Sequence, residues 1–572
     1  MSKIALLSMM LLTLLVASCS SNEQAAAAQN QAIIYHGGDI LTMEGDTPIY
    51  VQALVEQQGK IVFVGDKSVA MTQFKQAKPI DLQGKALLPG FIDGHSHVHG
   101  VGFQVSSANL LPSPDGEADS VEALVSLLKQ YRDSAQNQAF IESSGWIIGF
   151  GYDDAQLDRY PTADDLDRVS IDKPVIIVHT SGHLSVLNNK GLVLSGITAA
   201  SKNPTGGHIR RKPGTQQPNG VLEETAHFKV LFTLMGKLDD GTQDAMLVRG
   251  QEVYASYGYT TAQEGRATEE GLEAMIRAAK KDELLLDIVA YQDSATDKKY
   301  LASEYYGQEY NNQFRIAGIK LSLDGSPQGK TAWLTHPYHI VPEGLDANYK
   351  GYATFADDKA ADIIANTFKN NWQILVHANG DAAIDQFIAS IELATQQYGN
   401  IDRRPVLIHG QTLRQDQIKK LVELKIFPSL FPMHTFYWGD WHAESVLGHP
   451  RADAISPTKS VLDAGLMFTS HHDAPVARPD SFRVIDATVN RTTRTGKVLG
   501  PEERVSVYIA LKAMTEWAAY QHFEEGTKGT LSVGKQADFI LLDQNPLKIN
   551  KQDLQDIKVV ETIKAGKTVF KR

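Results

Sequence analysis

The sequence predicts an α/β protein: a (β/α)8 TIM barrel, a small β-sandwich domain formed by both chain ends, and a long insertion after barrel strand 1. Three observations carry that expectation. The middle of the chain alternates strand-like and helix-like stretches, the pattern of a parallel α/β fold. Both ends are instead rich in short β-like runs broken by Gly turns. Histidine, lysine and aspartate recur where candidate strands finish, the rim on which such barrels carry their sites.

Taken in order, Lys3 precedes an apolar run over residues 4–17, too short to span a bilayer comfortably. Residues 1–18 read as a signal peptide and are set aside from the fold. Val16-Ala17-Ser18-Cys19 is similar to a bacterial lipobox, which implies cleavage before Cys19 and lipidation of its sulfur; the alternative is an ordinary secretory signal with an incidental Cys. Ser20 after it points to the outer membrane, facing the periplasm, so the expected location is the bacterial cell envelope. Residues 19–31 form a polar tether. Residues 32–88 and 516–572 supply the two parts of the β-sandwich. The barrel occupies residues 89–515, with its insertion at about 104–244. Its eight candidate strands are 90–93, 259–263, 286–291, 318–323, 374–377, 406–409, 426–430 and 466–470.

Composition narrows the function. Hydrophobic residues make up 42% and charged residues 21%, as in a folded soluble protein rather than a disordered one. The net charge is −12 with no basic block, which argues against a nucleic-acid partner. Cys19 is the only cysteine, so neither an intrachain disulfide nor a cysteine-based zinc site can form. A metal must therefore be held by His and carboxylate. The expected partners are a small-molecule substrate and, through Cys19, a membrane; the oligomeric state is left open.

The ligand-type residues follow the strands. His95, His97 and His99 follow the first, and residues two apart in an extended segment point the same way. Spacing alone leaves open which pair of the three binds. His377 ends the fifth strand and His409 the sixth. The eighth runs into His471-His472-Asp473, where Asp473 by itself would read as a helix cap. In the fourth strand Ile319, Leu321 and Leu323 share one face, and Lys320, Ser322 and Asp324 the other, which turns Lys320 into the lumen. An ammonium has no lone pair for a cation. A carbamate on Lys320 would be an anionic oxygen ligand able to bridge two ions, and the alternative is a lysine paired with Asp324 or with a substrate carboxylate.

At these residues the chain resembles the amidohydrolase superfamily, within it the amidohydrolase 3 branch that includes N-substituted formamide deformylase-like enzymes. The match runs over Leu88-Pro89-Gly90-Phe91-Ile92-Asp93-Gly94-His95-Ser96-His97, then Gly318-Ile319-Lys320, Val376-His377-Ala378-Asn379-Gly380-Asp381, and Ile408-His409-Gly410-Gln411. The resemblance selects His95 and His97 over His99 and implies a metal set of His95, His97, Lys320, His377, His409 and Asp473. The chain departs from the branch after the eighth strand, where Ser-Asp-Trp-Pro-Val is more usual than His471-His472-Asp473-Ala474-Pro475-Val476. His471 and His472 are thus candidates to face substrate or to support the ligands from a second layer, and His434 and Trp438 after the seventh strand are candidates to face substrate. His183 of the insertion is similar to a recurrent feature of the family, with a structural hydrogen bond as its alternative role.

The expected chemistry is hydrolysis of a C–N bond, of amide type, by water activated on one or two divalent ions, Zn2+ being the expected metal. Asp473 is expected to ligate and act as general base, and His183 to stabilise the oxyanion. The alternatives are a deaminase or cyclic-amide hydrolase on the same scaffold, and a non-catalytic surface-binding lipoprotein.

Overall fold

The computed structural model describes residues 31–342 and 344–572. The signal peptide, Cys19 and nearly all of the tether lie outside the described residues. No described helix is long and apolar enough to cross a membrane.

One parallel sheet holds the middle of the chain together. Its eight strands are Phe91–Ile92, Tyr259–Ala267, Asp287–Asp293, Phe314–Ser322, Gln373–Ala378, Val406–His409, Phe427–Leu430 and Thr469–Ser470. They lie side by side in chain order. Every neighbouring pair is parallel, as crossover helices require. The sheet curls until its ends approach. A Cβ on Gly94, just after the first strand, would meet Thr469 of the eighth at 2.8 Å. Among the described residues no hydrogen-bonded ladder joins those two strands.

The helices between strands are amphipathic and bury one stripe on the sheet. In Glu269–Lys280, Leu272, Met275, Ile276 and Ala279 face inward, and Thr268 caps the helix by accepting from Gly271 N. Asp357–Lys369 and Asp381–Tyr398 do the same beside the fifth strand, with Ile364, Phe368, Ile384, Phe387 and Ile391 in one core with Ile374 and Val376.

Between the first and second strands the chain builds a six-stranded sheet of its own, containing Ile147–Tyr152, Val175–His179 and Pro218–Glu224. It returns through the helix Asp240–Ser256, which crosses Val98–Ser106 at very short range. A Cβ on Gly102 would sit 1.9 Å from Met246 O, and one on Gly250 2.3 Å from Val98 O. Only glycine permits that approach, and it sets the helix that directly follows His97.

Both chain ends share a further sheet. Ile33–Leu41, Tyr50–Gln57, Lys60–Gly65, Lys78–Asp81 and Ala86–Pro89 join Phe539–Leu542, Val559–Lys564 and Lys567–Lys571 in a single hydrogen-bonded sheet of eight strands. Tyr35, Leu54, Leu87, Phe539 and Ile563 form its main core. The helix Glu516–Gln521, expected with this sheet, packs instead on the parallel one, where Ala518 and Ala519 bury against Ile92. The chain reaches the terminal sheet again at Leu531, whose N–H donates to Thr42 O over 2.9 Å.

Candidate metal centre

Each ligand-type side chain is delivered by the end of a strand. His95 and His97 lie on the segment after the first strand, pinned on two sides. Gly265 N donates to Ser96 O (2.7 Å), while Asp473 N donates to His95 O (3.1 Å) and His97 N to Ala474 O (2.8 Å). Asp93 fixes the turn by accepting from His95 N (3.1 Å) and Gln263 N (3.1 Å). Gly265 makes room for the His95 ring, because a Cβ there would stand 2.3 Å from His95 Cε1. His409 (φ 74) and Asp473 (φ 53) both hold left-handed backbone conformations. Such strain persists where surrounding structure imposes it, often at functional sites.

Asp473 is the hub. Its Oδ1 lies 3.4 Å from His95 Nε2 and 3.4 Å from His97 Nε2. Its Oδ2 lies 3.8 Å from His409 Nε2, which in turn is 3.1 Å from His377 Nδ1. Lys320 Nζ sits 2.6 Å from His95 Nε2. His95, His409 and Asp473 offer ligand atoms all within 4.8 Å of one another, and all three are buried. His99, the third histidine of the first-strand segment, is on the helix Val98–Ser106, where its backbone N–H donates to Glu264 Oε2.

A second layer aims these lone pairs. His95 Nδ1 pairs with Gln263 Oε1 at 2.6 Å, which turns Nε2 towards Asp473. His377 Nε2 donates to Gly325 O (3.1 Å) and lies 3.3 Å from Asp324 Oδ1, leaving Nδ1 to face His409. Asp324 accepts from Asn379 N (3.0 Å) and Gly380 N (2.8 Å). Glu264 Oε1 lies 3.4 Å from His97 Nδ1. His183 Nδ1 pairs with Glu224 Oε2 at 2.8 Å, and its ring centroid is 6.1 Å from that of His377.

Burial holds His95 and His409 far below the usual imidazole range, helped by neighbouring cationic groups, so both are neutral donors. For His97 burial acts the same way but Asp473 and Glu264 outweigh it, raising the ring to about 9. Burial lowers Lys320 to about 7. Burial would raise Asp473, but His97, His471 and Lys320 keep it below the ordinary carboxylate value. Burial would lower His183, yet Glu224 raises it.

The donor set fits a divalent cation. Two ligands each about 2.1 Å from one tetrahedral ion are about 3.4 Å apart, the spacing of His95 and His97 from Asp473. Asp473 Oδ1 is buried and accepts no hydrogen bond, and neither does His409 Nδ1 find a partner. Asp473 and Glu264 are what hold a proton on His97, and a divalent cation would take that proton's place while completing a buried carboxylate oxygen that otherwise accepts no hydrogen bond.

The centre opens into a cavity of about 190 Å3 lined by His95, His97, Lys320, His183, Arg266 and Asp473 among others. Its apolar wall includes Phe228, Leu231, Phe232 and Met235 of the helix Thr225–Met235. Arg266 donates from Nε to Asp293 Oδ2 (2.6 Å) and lies over the Phe228 ring.

Four residues expected to touch substrate do not line this cavity. His434 lies on the helix Met433–Trp441, buried, with Nδ1 2.9 Å from His442 Nε2. Trp438 Nε1 donates to Asp153 Oδ2 (3.2 Å), because the helix turns that face away from the centre. His471 packs behind the rings of His95 and His409, its centroid 5.3 Å from the first and 5.1 Å from the second. His472 points the other way, as alternation demands. Its Nδ1 accepts from Ala474 N (3.0 Å), and it packs on Tyr254 and Tyr259 beneath Asp93. No sequence signal marks Gln263 or Glu224 as site residues, and Asp324, the alternative partner expected for Lys320, instead holds the segment after the fifth strand. Glu264, also not expected at the site, comes directly after the candidate strand 259–263, so its position, though not an apolar run like those before His377 and His409, would have pointed to it.

The chain matches the amidohydrolase family over residues 78–570, and it belongs to that family. It is 24% identical over 561 residues to the putative amidohydrolase YtcJ of Bacillus subtilis (strain 168), covering 94% of this chain and 99% of that one. It is 23% identical over 543 residues to an N-substituted formamide deformylase of Arthrobacter pascens, covering 91% and 95%. Among solved structures, an uncharacterized metal-dependent hydrolase from Pyrococcus furiosus superposes with a TM-score of 0.71 at 26% identity. The alignment covers 90% of this chain and 100% of that one.

Proposed function

We propose that this chain hydrolyses the C–N bond of a small amide, using water activated at the centre around Asp473. The observation that carries the reading is the placement of Asp473. One carboxylate oxygen faces His95 and His97, and the other faces His409 beside His377. A divalent ion bound there, most naturally Zn2+ with such ligands, would supply a Lewis acid and a hydroxide at neutral pH. The set has donors for one ion or two.

The protein's own groups do the rest. Asp473, held ionised, accepts the proton of the attacking water and returns it to the departing amine nitrogen. His183 lines the cavity with its Nδ1 held by Glu224, which leaves Nε2 as the ring nitrogen available to donate to the carbonyl oxygen as it gains charge. The helix Thr225–Met235 covers the reacting bond with apolar side chains and limits water to the attacking molecule. Lys320 is buried without a carboxylate within ion-pair distance among the described residues, and burial lowers it to about 7, which makes the free amine accessible near neutral pH. That amine can attack carbon dioxide, form an N–C bond and lose a proton, giving a carbamate that would ligate from the fourth strand.

The reading extends to two features of the whole chain. Gly94 against Thr469 supports closure of the curled sheet into a (β/α)8 barrel. Lipidation at Cys19 would tether the enzyme in the bacterial cell envelope, and Cys19→Ser should move it from the membrane to the soluble fraction.

The test is a panel of N-formyl and N-acyl amines offered to zinc-loaded protein, with acid and amine products measured separately. Equimolar acid and amine, abolished by a chelator, is the expected result. Release of ammonia from an amino-substituted ring instead would show a deaminase, and no turnover on any substrate with the metal bound would refute the hydrolase.

A further inference from the structure

The helix Thr225–Met235 has a second cavity on its opposite side. This one holds about 450 Å3, inside the range of small-molecule sites and larger than the space above Asp473. Its floor is apolar and recessed: Trp146, Ile209, Val230 and Leu234 are all buried side chains that it exposes at its base. Its rim carries Lys202, Lys229 and Lys237, and no carboxylate lines it. None of these lysines forms an ion pair among the described residues, in a chain whose net charge is −12. Five of the nine other Lys and Arg side chains of the insertion do: Arg132, Arg159, Arg168, Arg210 and Lys212 each hold a carboxylate.

We propose that this cavity is a second binding site, for a free anionic amphiphile: a carboxylate- or phosphate-headed small molecule with an apolar chain or ring. The lysines take the head group and the recessed floor takes the apolar body. A flat lipid surface would not reach Ile209 or Leu234, which are 4% and 3% exposed. The site is coupled to the one above Asp473 by a shared element. Val230, Thr233 and Leu234 face this cavity, while Phe228, Leu231, Phe232 and Met235 of the same helix wall the other. A rigid helix cannot shift for one occupant without moving its other face. Ligand in the lysine-rimmed cavity therefore reshapes the apolar wall over the metal centre.

Titration calorimetry with the full chain tests binding without relying on any activity. Dodecanoate and dodecyl phosphate should bind, dodecanol should bind at least about tenfold more weakly, and raising the salt should narrow that gap. Surface substitution Lys202→Gln/Lys229→Gln/Lys237→Gln should weaken both anions about tenfold or more and leave the neutral alcohol unchanged. Hydrogen exchange should slow along residues 225–235 when dodecanoate is bound to the native chain, and not in the triple variant. Anions that bind no better than dodecanol, or equally well to the triple variant, would overturn the proposal. So would exchange protection found only around His95 and His377, because it would place the amphiphile in the metal-centre cavity.

Discussion

The two ends of the parallel sheet both bury charge, and they do so in opposite ways. At the end where the strands begin, Arg315, Lys528 and Lys564 meet Asp287, Glu524 and Asp538. Lys528 Nζ lies 2.6 Å from Asp287 and 2.7 Å from Glu524. Lys564 bridges Asp287 (2.7 Å) and Asp538 (2.8 Å), and Arg315 holds Glu524 at 2.7 Å. Three cations face three carboxylates, so the desolvation of each, several kcal/mol per ion, is offset inside the protein. At the end where the strands finish, four histidines and a lysine crowd one carboxylate. Like groups stand 2.6–3.1 Å apart there, and Asp473 Oδ1 has no donor. In the first cluster every carboxylate has a cation within 2.8 Å, including Glu524 Oε2, which accepts no well-aligned hydrogen bond but lies 2.7 Å from Lys528 Nζ, and the cluster ties the terminal sheet to the parallel one. The second is complete only with something cationic added. Burial alone does not distinguish structure from function here; satisfaction does.

Substitutions break that contrast in predictable order. Asp473→Asn should lower turnover by about 10^3-fold or more on any amide the native enzyme cleaves, with thermal unfolding little changed. Glu524→Gln should do the reverse. Leaving Arg315 and Lys528 under-compensated should cost about 3–5 kcal/mol of unfolding free energy, while kcat per folded molecule persists. Calorimetric unfolding and steady-state kinetics on both variants would check the pair.

Acid sharpens the same distinction. Burial would raise Glu524 and Asp287, but the paired lysines and Arg315 hold both below their ordinary values of 4.5 and 3.8. Their stabilisation is therefore full above about pH 5 and is lost as the pH falls through and below that range. The native chain should lose more stability between pH 6 and pH 3 than Glu524→Gln does, measured as the shift in unfolding temperature. A smaller effect is expected from Glu264→Gln, which leaves the ligands in place but no longer aims His97. Zinc affinity should fall about 10- to 100-fold by competition with a chelating dye. Smallest of all, His434→Gln should leave kcat/KM within about twofold, since His434 does not reach the cavity.

Much of the ligand end was legible in the sequence because its chemistry follows a simple rule. His377 and His409 end apolar runs that become strands of the sheet, and Lys320 alternates with Ile319 and Leu321. The aiming residues were hidden for a physical reason. Gln263 acts through a contact 168 positions away, and Asp324, legible on the face of Lys320, takes its actual partners 55 positions away, which no local pattern encodes. His434 and Trp438 misled because a strand end was taken to continue into the site, whereas the chain turns into a helix at Met433. His471 and His472 follow the strand with alternating direction, and only Asp473, in its left-handed conformation, comes back to the centre. The paired cluster was invisible from sequence. Its lysines and acids come from strand starts and the C-terminal segment, where charged residues ordinarily read as solvated surface.

The measurement that bears most directly on this account is the metal content of the purified chain and of His95→Ala/His409→Ala, by elemental mass spectrometry. About one or two divalent ions per native chain are expected, most of them lost in the variant while its fold is retained by circular dichroism. A variant that keeps the full metal content, or a metal-stripped native chain that still hydrolyses its amide at an undiminished rate, would contradict it.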